Sequence, residues 1–189
     1  MKSIYNLPQF GEGWFKPQSE QLISEVIKNL PNNSKCVEVG SWKGKSAAYT
    51  CEQIIRSKKK IHLDCVDTWE GSVEHKQFPN LHRLYDIFIK NMKPFEKYYT
   101  PVRMSSMDAV RLYEDESIDF IFIDASHEYE DVKDDMNHWF PKLKRGCIIS
   151  GDDYNNPGFP GVVKAVNEFF NDNNIHLNVS YQTWWGTKN

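Results

Sequence analysis

The sequence predicts an α/β fold: an open, mostly parallel, doubly wound sheet with helices on both faces and an antiparallel hairpin at one edge. Three observations point to it. Short β-rich apolar segments alternate with longer segments whose apolar residues fall at helical spacing, and such alternation favours parallel strands joined by helical crossovers. Ile118-Asp119-Phe120-Ile121-Phe122-Ile123 is nearly continuous in apolar residues, as a central strand buried on both faces requires. Cys36-Val37-Glu38-Val39-Gly40-Ser41-Trp42-Lys43-Gly44-Lys45-Ser46 reads as a strand, a glycine-bearing turn and a helix. That arrangement brings backbone N–H groups and a helix N-terminus up against a ligand.

Composition narrows the class. A chain of 189 residues suits one domain, 1–189, and its 40% hydrophobic content suits a folded core. A net charge of −3 gives no electrostatic footprint for nucleic acid or an anionic membrane, so neither is an expected partner. No apolar run reaches the roughly 18 residues of a membrane span, and the early Glu12 and Glu20 stand without an apolar signal core. The four cysteines, Cys36, Cys51, Cys65 and Cys147, form no C-x-x-C pair, so zinc is not expected and a reducing, cytoplasmic setting is.

In chain order, residues 1–17 combine Pro8, Gly11, Gly13 and Pro17 with Tyr5, Phe10, Trp14 and Phe15, and read as an irregular arm packed on the body or over a site. Ser19 is placed to cap a helix carrying Leu22, Ile23, Val26, Ile27 and Leu30, and residues 1–30 form the arm and this helix. The organising strand and a helix over about 44–57 follow. Lys58-Lys59-Lys60 suits a solvated helix end. A second strand, Ile61–Val66, ends in Asp67. Residues 68–98 are long for a connection and read either as a lid or substrate loop or as an insertion that only packs on the sheet edge, with a helix near 80–92. A third strand, near Tyr99–Arg103, leads to a short helix capped by Ser105 or Ser106. The fourth strand ends at Asp124. Ala125-Ser126-His127 then enters a helix with an acidic first turn, which Pro141 and Gly146 stop. Cys147-Ile148-Ile149 is the fifth strand, ending in Ser150-Gly151-Asp152-Asp153-Tyr154. A loop over Asn155–Gly161, a helix through Phe170, and strands near Ile175–Tyr181 and Thr183–Thr187 close the chain.

In sheets of this Rossmann-like kind, ligands bind beyond the carboxyl ends of the strands. Four strands here end in acids: Glu38, Asp67, Asp124, and the pair Asp152 and Asp153. Five carboxylates on one rim repel unless raised pKa values, hydrogen bonds or a cation relieve them, and a metal ion or cationic ligand is the economical solution. Asp67, at the end of the second strand, suits ribose hydroxyls. The spacing E-x-G-x-W-x-G is neither the G-x-G-x-x-G of a dinucleotide site nor a P-loop.

Taken together, Glu38-Val39-Gly40-Ser41-Trp42-Lys43-Gly44, Val66-Asp67-Thr68-Trp69, Ile118 through Tyr129, and Gly151-Asp152-Asp153-Tyr154 resemble class I S-adenosylmethionine-dependent methyltransferases. Within that class the likeness is to the small-molecule O-methyltransferase branch related to the macrocin and catechol enzymes. It spans about residues 35–165. The resemblance implies S-adenosyl-L-methionine as cofactor. Glu38 and Gly40 would meet its methionine portion, the turn through Ser41 and Gly44 would pass close, and Asp67 would take the ribose. Ser105 and Ser106 would flank the adenine, and Asp124 would border the cofactor. In metal-dependent members Asp124, Asp152 and Asp153 would hold a divalent ion, for which Mg²⁺ suits three carboxylates. Where some relatives place a second acid as base, this chain has Ser126, followed by His127.

The implied reaction is an in-line methyl transfer to a hydroxyl of a small acceptor: a sugar, catechol or other metabolite. Alignment of the reactants lies within the ~7–11 kcal/mol ceiling for ideal orientation. His127, with an unperturbed pKa of about 6.5, is the candidate general base, with Asp124 beside it in the catalytic set. A nucleic-acid enzyme is disfavoured by the acidic charge and the lack of N/D-P-P-Y after the fourth strand. The alternative is a protein that keeps the cofactor pocket and has lost transfer or performs another reaction. The oligomeric state is open, a homo-oligomer included.

Overall fold

The computed structural model describes residues 15–72 and 80–189. The proposed arm before Phe15, and His75 and Phe78 of the proposed lid, lie outside the described residues. One seven-stranded sheet organises the rest. Its strands are β1 (Ser34–Val39), β2 (Ile61–Asp67), β3 (Tyr99–Arg103), β4 (Ile118–Ile123), β5 (Leu143–Gly151), β6 (Asn178–Ser180) and β7 (Thr183–Thr187), in the order β3-β2-β1-β4-β5-β7-β6. β1 to β5 pair in parallel, and β7 runs antiparallel to both β5 and β6. The chain winds outward from β1 to β3, then returns to place β4 on the other side of β1. The switch point therefore falls between β1 and β4, where a crevice opens beyond the strand ends.

Alternation along the strands sorts side chains into two cores. Cys36, Phe120 and Phe122 face the helices α1 (Pro17–Asn29), α2 (Lys45–Ser57) and α3 (Leu84–Met92). Val37, Val39, Ile121 and Ile123 face α4 (Ser106–Ala109), α5 (Tyr129–Trp139) and α6 (Pro160–Asp172). All of β4 is buried, as its unbroken apolar run requires. Glu38 is two residues beyond Cys36, so the pleat turns it inward toward α2, where it is buried.

Several local expectations are corrected. Ser19 does not cap α1. Pro17 starts that helix, and the Ser19 hydroxyl is buried against Thr183 Oγ1 at 2.7 Å. Lys59 is not simply solvated, since its ammonium reaches the carbonyls of Lys28 and Leu30 at the end of α1. The helix before β3 begins as a 3₁₀ turn at Leu81–Arg83. Gly146 does not end a helix. It lies inside β5, with φ +75°, where two steps along β4 oppose five along β5, and its N–H bonds to the Lys188 carbonyl. That bulge hid the first four residues of β5, Leu143 to Gly146, from an apolar-run reading. The penultimate strand shrinks to Asn178–Ser180.

The turn after β1 shows why glycine is required there. Gly40 adopts φ +89°, and its N–H bonds to the Val66 carbonyl. A Cβ at this position would overlap the Asp124 carbonyl, and Asp124 is itself tied by its N–H to the Val39 carbonyl. Gly40→Ala must open the β1–β4 junction or force a left-handed alanine, and is expected to cost at least about 3 kcal/mol in urea denaturation.

Candidate active site

A cleft of about 640 Å³, measured out to its open mouth, lies over the switch point between β1 and β4. Its walls include Val39, Gly40, Val66, Met104 and Ala125, with the polar edges of Asp67, Ser106 and Asp124. The mixture of apolar walls and a few convergent polar groups suits a nucleoside-sized ligand.

Asp67 holds the cleft's first turn together. Its Oδ2 accepts the N–H groups of Ser41 and Trp42 at 2.9 and 2.8 Å, and its Oδ1 accepts that of Trp69 at 2.6 Å. The carboxylate is thus aimed by backbone donors before any ligand arrives. Trp69 completes the lock, its indole N–H donating to the Trp42 carbonyl at 2.9 Å. Glu38 lies behind the turn rather than on the cleft wall, and accepts a hydrogen bond from Ser41 Oγ at 2.6 Å. Burial pushes Glu38 up to about 7, against the hydrogen bonds of Ser41 and Ser46 and with a further rise from the Asp67 charge.

The other expected cofactor residues divide. Gly44 faces the side chains of Met92 and Phe88 on α3 instead of the cleft. Ser105 caps α4, its Oγ accepting the Asp108 N–H at 3.1 Å. Ser106 lines the cleft, and its hydroxyl is committed on both sides: it donates to Asp135 and accepts the Trp139 indole N–H at 2.7 Å. Burial pushes Asp135 up to about 7 despite the Ser106 bond, with Asp131 and Asp134 adding to the rise.

Beside the cleft lies the acidic rim. Asp124 belongs to both, since it lines the cleft and offers a donor atom within 4.8 Å of those of His127 and Asp153. His127 stands two residues before α5. Its Nε2 is 2.9 Å from Asp153 Oδ2, and its ring stacks on Phe159 at 3.8 Å and 13°. Asp153 adopts φ +63° and also accepts the Asn156 amide at 2.9 Å. Lys16 enters from the opposite end of the chain, with Nζ 3.3 Å from Asp152 Oδ2 and 3.2 Å from Asp153 Oδ1.

The charges settle residue by residue. Burial, followed by the charges of Asp152 and Asp153, pushes Asp124 well above the ordinary carboxylate range. Burial also raises Asp152, opposed by Lys16. Burial alone would raise Asp153, but His127, Asn156 and Lys16 outweigh it and hold the carboxyl at about 2. Burial disfavours the Lys16 charge, yet Asp152 and Asp153 hold its pKa above the ordinary value. The sequence offered no signal for Lys16 or Phe159, which meet the rim only through tertiary contact, whereas Asn156 reaches Asp153 within a local turn three residues long.

As arranged, the rim does not fit Mg²⁺. Asp152 stands outside the group of converging donors: Lys16 takes its Oδ2 and the Asp153 N–H its Oδ1. One of the three converging donors is an imidazole nitrogen, a softer ligand than a hard cation prefers.

A wound sheet with a nucleoside-sized cleft at its switch point is the architecture of a ligand-binding α/β protein, here with a histidine–carboxylate pair on the adjoining rim. The family model described as "Methyltransferase domain" matches residues 37–154, and the chain belongs to that family. It is 28% identical over 150 residues to the protein y4gI of Sinorhizobium fredii (strain NBRC 101917 / NGR234), a match covering 77% of this chain and 16% of that protein. It is 25% identical over 154 residues to the protein R132 of Acanthamoeba polyphaga mimivirus, covering 78% of this chain and 66% of that one. The chain thus spans less than two thirds of either relative.

Among solved structures, the O-methyltransferase from Bacillus cereus in complex with SAH superimposes with a TM-score of 0.66 at 13% identity, over 98% of this chain and 87% of that one. The O-methyltransferase NovP gives 0.65 at 18% identity, over 90% and 78%. CalS11, a TDP-rhamnose 3′-O-methyltransferase of calicheamicin biosynthesis, gives 0.64 at 13%, over 90% and 77%. At these identities the likeness is one of fold. Among the described residues no helix is long and apolar enough to cross a membrane.

The raised Glu38 has a consequence for stability. Its native carboxyl keeps a proton to higher pH than the ordinary value of 4.5 allows, so the folded state binds more protons than the unfolded one between about 4.5 and 7. Stability is therefore expected to fall as pH rises through that window and to level off above it. Asp135 acts with the same sign, so Glu38→Gln should flatten the slope in part. Urea denaturation of both proteins across the window measures it.

Proposed function

We propose that this chain is an S-adenosylmethionine-dependent methyltransferase acting on a hydroxyl of a small molecule. The supporting observation is Asp124, which is at once a wall of the switch-point cleft and a member of the rim that holds the His127–Asp153 pair. Cofactor cleft and acceptor site thus adjoin at one residue. The methyltransferase family and the fold shared with O-methyltransferases support the same reading.

The cofactor fits the cleft on the chemistry of its lining. Val66, Met104 and Ala125 offer apolar surface to a purine, and Asp67 presents a carboxylate already aimed by three backbone N–H groups for ribose hydroxyls. When bound, S-adenosylmethionine supplies an electrophilic methyl group on a sulfonium. The protein's tasks are to align the acceptor, exclude water and remove its proton.

His127 is the residue for the proton. In this reading Nε2, which faces the ionised Asp153, carries the N–H, and Nδ1 is the basic nitrogen. Asp153, held strongly acidic, stays ionised and stabilises the imidazolium that forms as His127 accepts the acceptor's proton. The Phe159 stack fixes the ring plane. A neutral Asp124, favoured by its raised pKa, borders the cleft without adding a negative charge beside the acceptor's developing one.

The test is S-adenosylhomocysteine binding by calorimetry, together with transfer of labelled methyl to a panel of sugars, catechols and other hydroxylated metabolites. His127→Asn is expected to keep the binding and lose transfer by about 100- to 10,000-fold. Asp67→Ala is expected to weaken binding about tenfold or more and to lower the unfolding midpoint, because three backbone N–H groups lose their acceptor. Failure of wild type to bind S-adenosylhomocysteine overturns the reading. Binding without transfer would favour a cofactor-binding protein on a retained fold.

A further inference from the structure

Lys16 is poorly explained by its own helix. It occupies the N-cap position of α1, makes no side-chain cap, and brings a positive charge to the helix end that repels one. Its side chain instead crosses to residues 136 and 137 positions away and is only 20% exposed there. The placement is built. Ser19 Oγ bonds Thr183 Oγ1 in a buried contact, which pins the first turn of α1 to the start of β7. β7 pairs Trp184 with Gly151, one residue before Asp152, and the Trp184 indole N–H donates to the Asp152 carbonyl at 3.2 Å. Phe15 packs on Tyr49 of α2 on the other side. The ammonium is thereby delivered between two carboxylates, and it and a divalent ion cannot share that pair at such distances.

We propose that Lys16 is the resident cation of the acidic rim: it stands in for a divalent ion and positions Asp153 beneath His127, so that the site works without a metal. The role of His127 rests on the function proposed above; the exclusion of metal by Lys16 does not. Lys16 is a positioning residue. It acts through Asp152 and Asp153: one ion pair fixes Asp152 Oδ2, and the other holds Asp153 by Oδ1 while the imidazole grips Oδ2.

Mn²⁺ alone, titrated into the full chain and followed by electron paramagnetic resonance of the free ion, tests the exclusion without any methyl transfer. Wild type and Lys16→Arg are expected to bind Mn²⁺ no tighter than about millimolar, and Lys16→Met at least about tenfold tighter, because two buried carboxylates then lack a cation. Lys16→Gln, which keeps the hydrogen-bonding reach and drops the charge, serves the same purpose should Lys16→Met fail to fold. Micromolar Mn²⁺ binding by wild type, or an unchanged affinity in the folded neutral variant, overturns the proposal. If transfer is found, wild-type turnover should be unaffected by a chelator, and loss of turnover in chelator overturns the proposal equally.

Discussion

A parallel sheet sends its strands in one direction, and every acid placed at their carboxyl ends raises the cost of ionising the next. This chain gathers Glu38, Asp67, Asp124, Asp152 and Asp153 at that rim, and the local structure answers the repulsion differently at each. Glu38 is folded back under the turn and favours its proton. Asp67 is spread over three backbone donors. Asp124 is pushed toward neutrality, while Asp153 stays ionised under His127, Asn156 and Lys16. The outcome is not a uniformly negative crevice but a graded one, with the Asp153 carboxylate held ionised where an imidazolium would need it.

That grading depends on a backbone contact. The β1 turn and the end of β4 approach so closely that a side chain at Gly40 would meet the Asp124 carbonyl. Asp67 tightens the same turn from the β2 side through Ser41 and Trp42. Three adjacent strand ends are thus locked to one another before any ligand binds. Preorganisation of this kind lets the orientation of bound groups follow from the fold.

Much of this was legible in the sequence. The strand-end acids, the apolar β4 run and the glycine of the first turn all report on parallel winding, because burial on both faces and a tight turn constrain residue type locally. What was not legible is where side chains point once elements pack. Gly44 has the spacing of a ligand turn, yet it is the approach of α3 that presses Phe88 and Met92 upon it. Ser106 sits where a cofactor contact was expected and does line the cleft, but Trp139 and Asp135 claim its hydroxyl from α5. Gly146 looked like a helix stop because a bulge interrupts the apolar pattern of β5.

Lys16 was the least legible of all, and for an instructive reason. The acids nearest to it in sequence, Glu12 and Glu20, stand four residues away on either side and point to local pairing rather than to the rim, and its place at a helix start gives its charge no favourable role. Buried ion pairs are weak devices for stability, since desolvation offsets most of the attraction. A lysine that works against its own helix dipole, fixed by a hydroxyl contact to an edge strand and a ring contact to α2, is better understood as serving the rim than the helix. The electrostatics of the acidic rim are then set in part by a residue at the start of α1, and that helix belongs to the rim as much as the strands do.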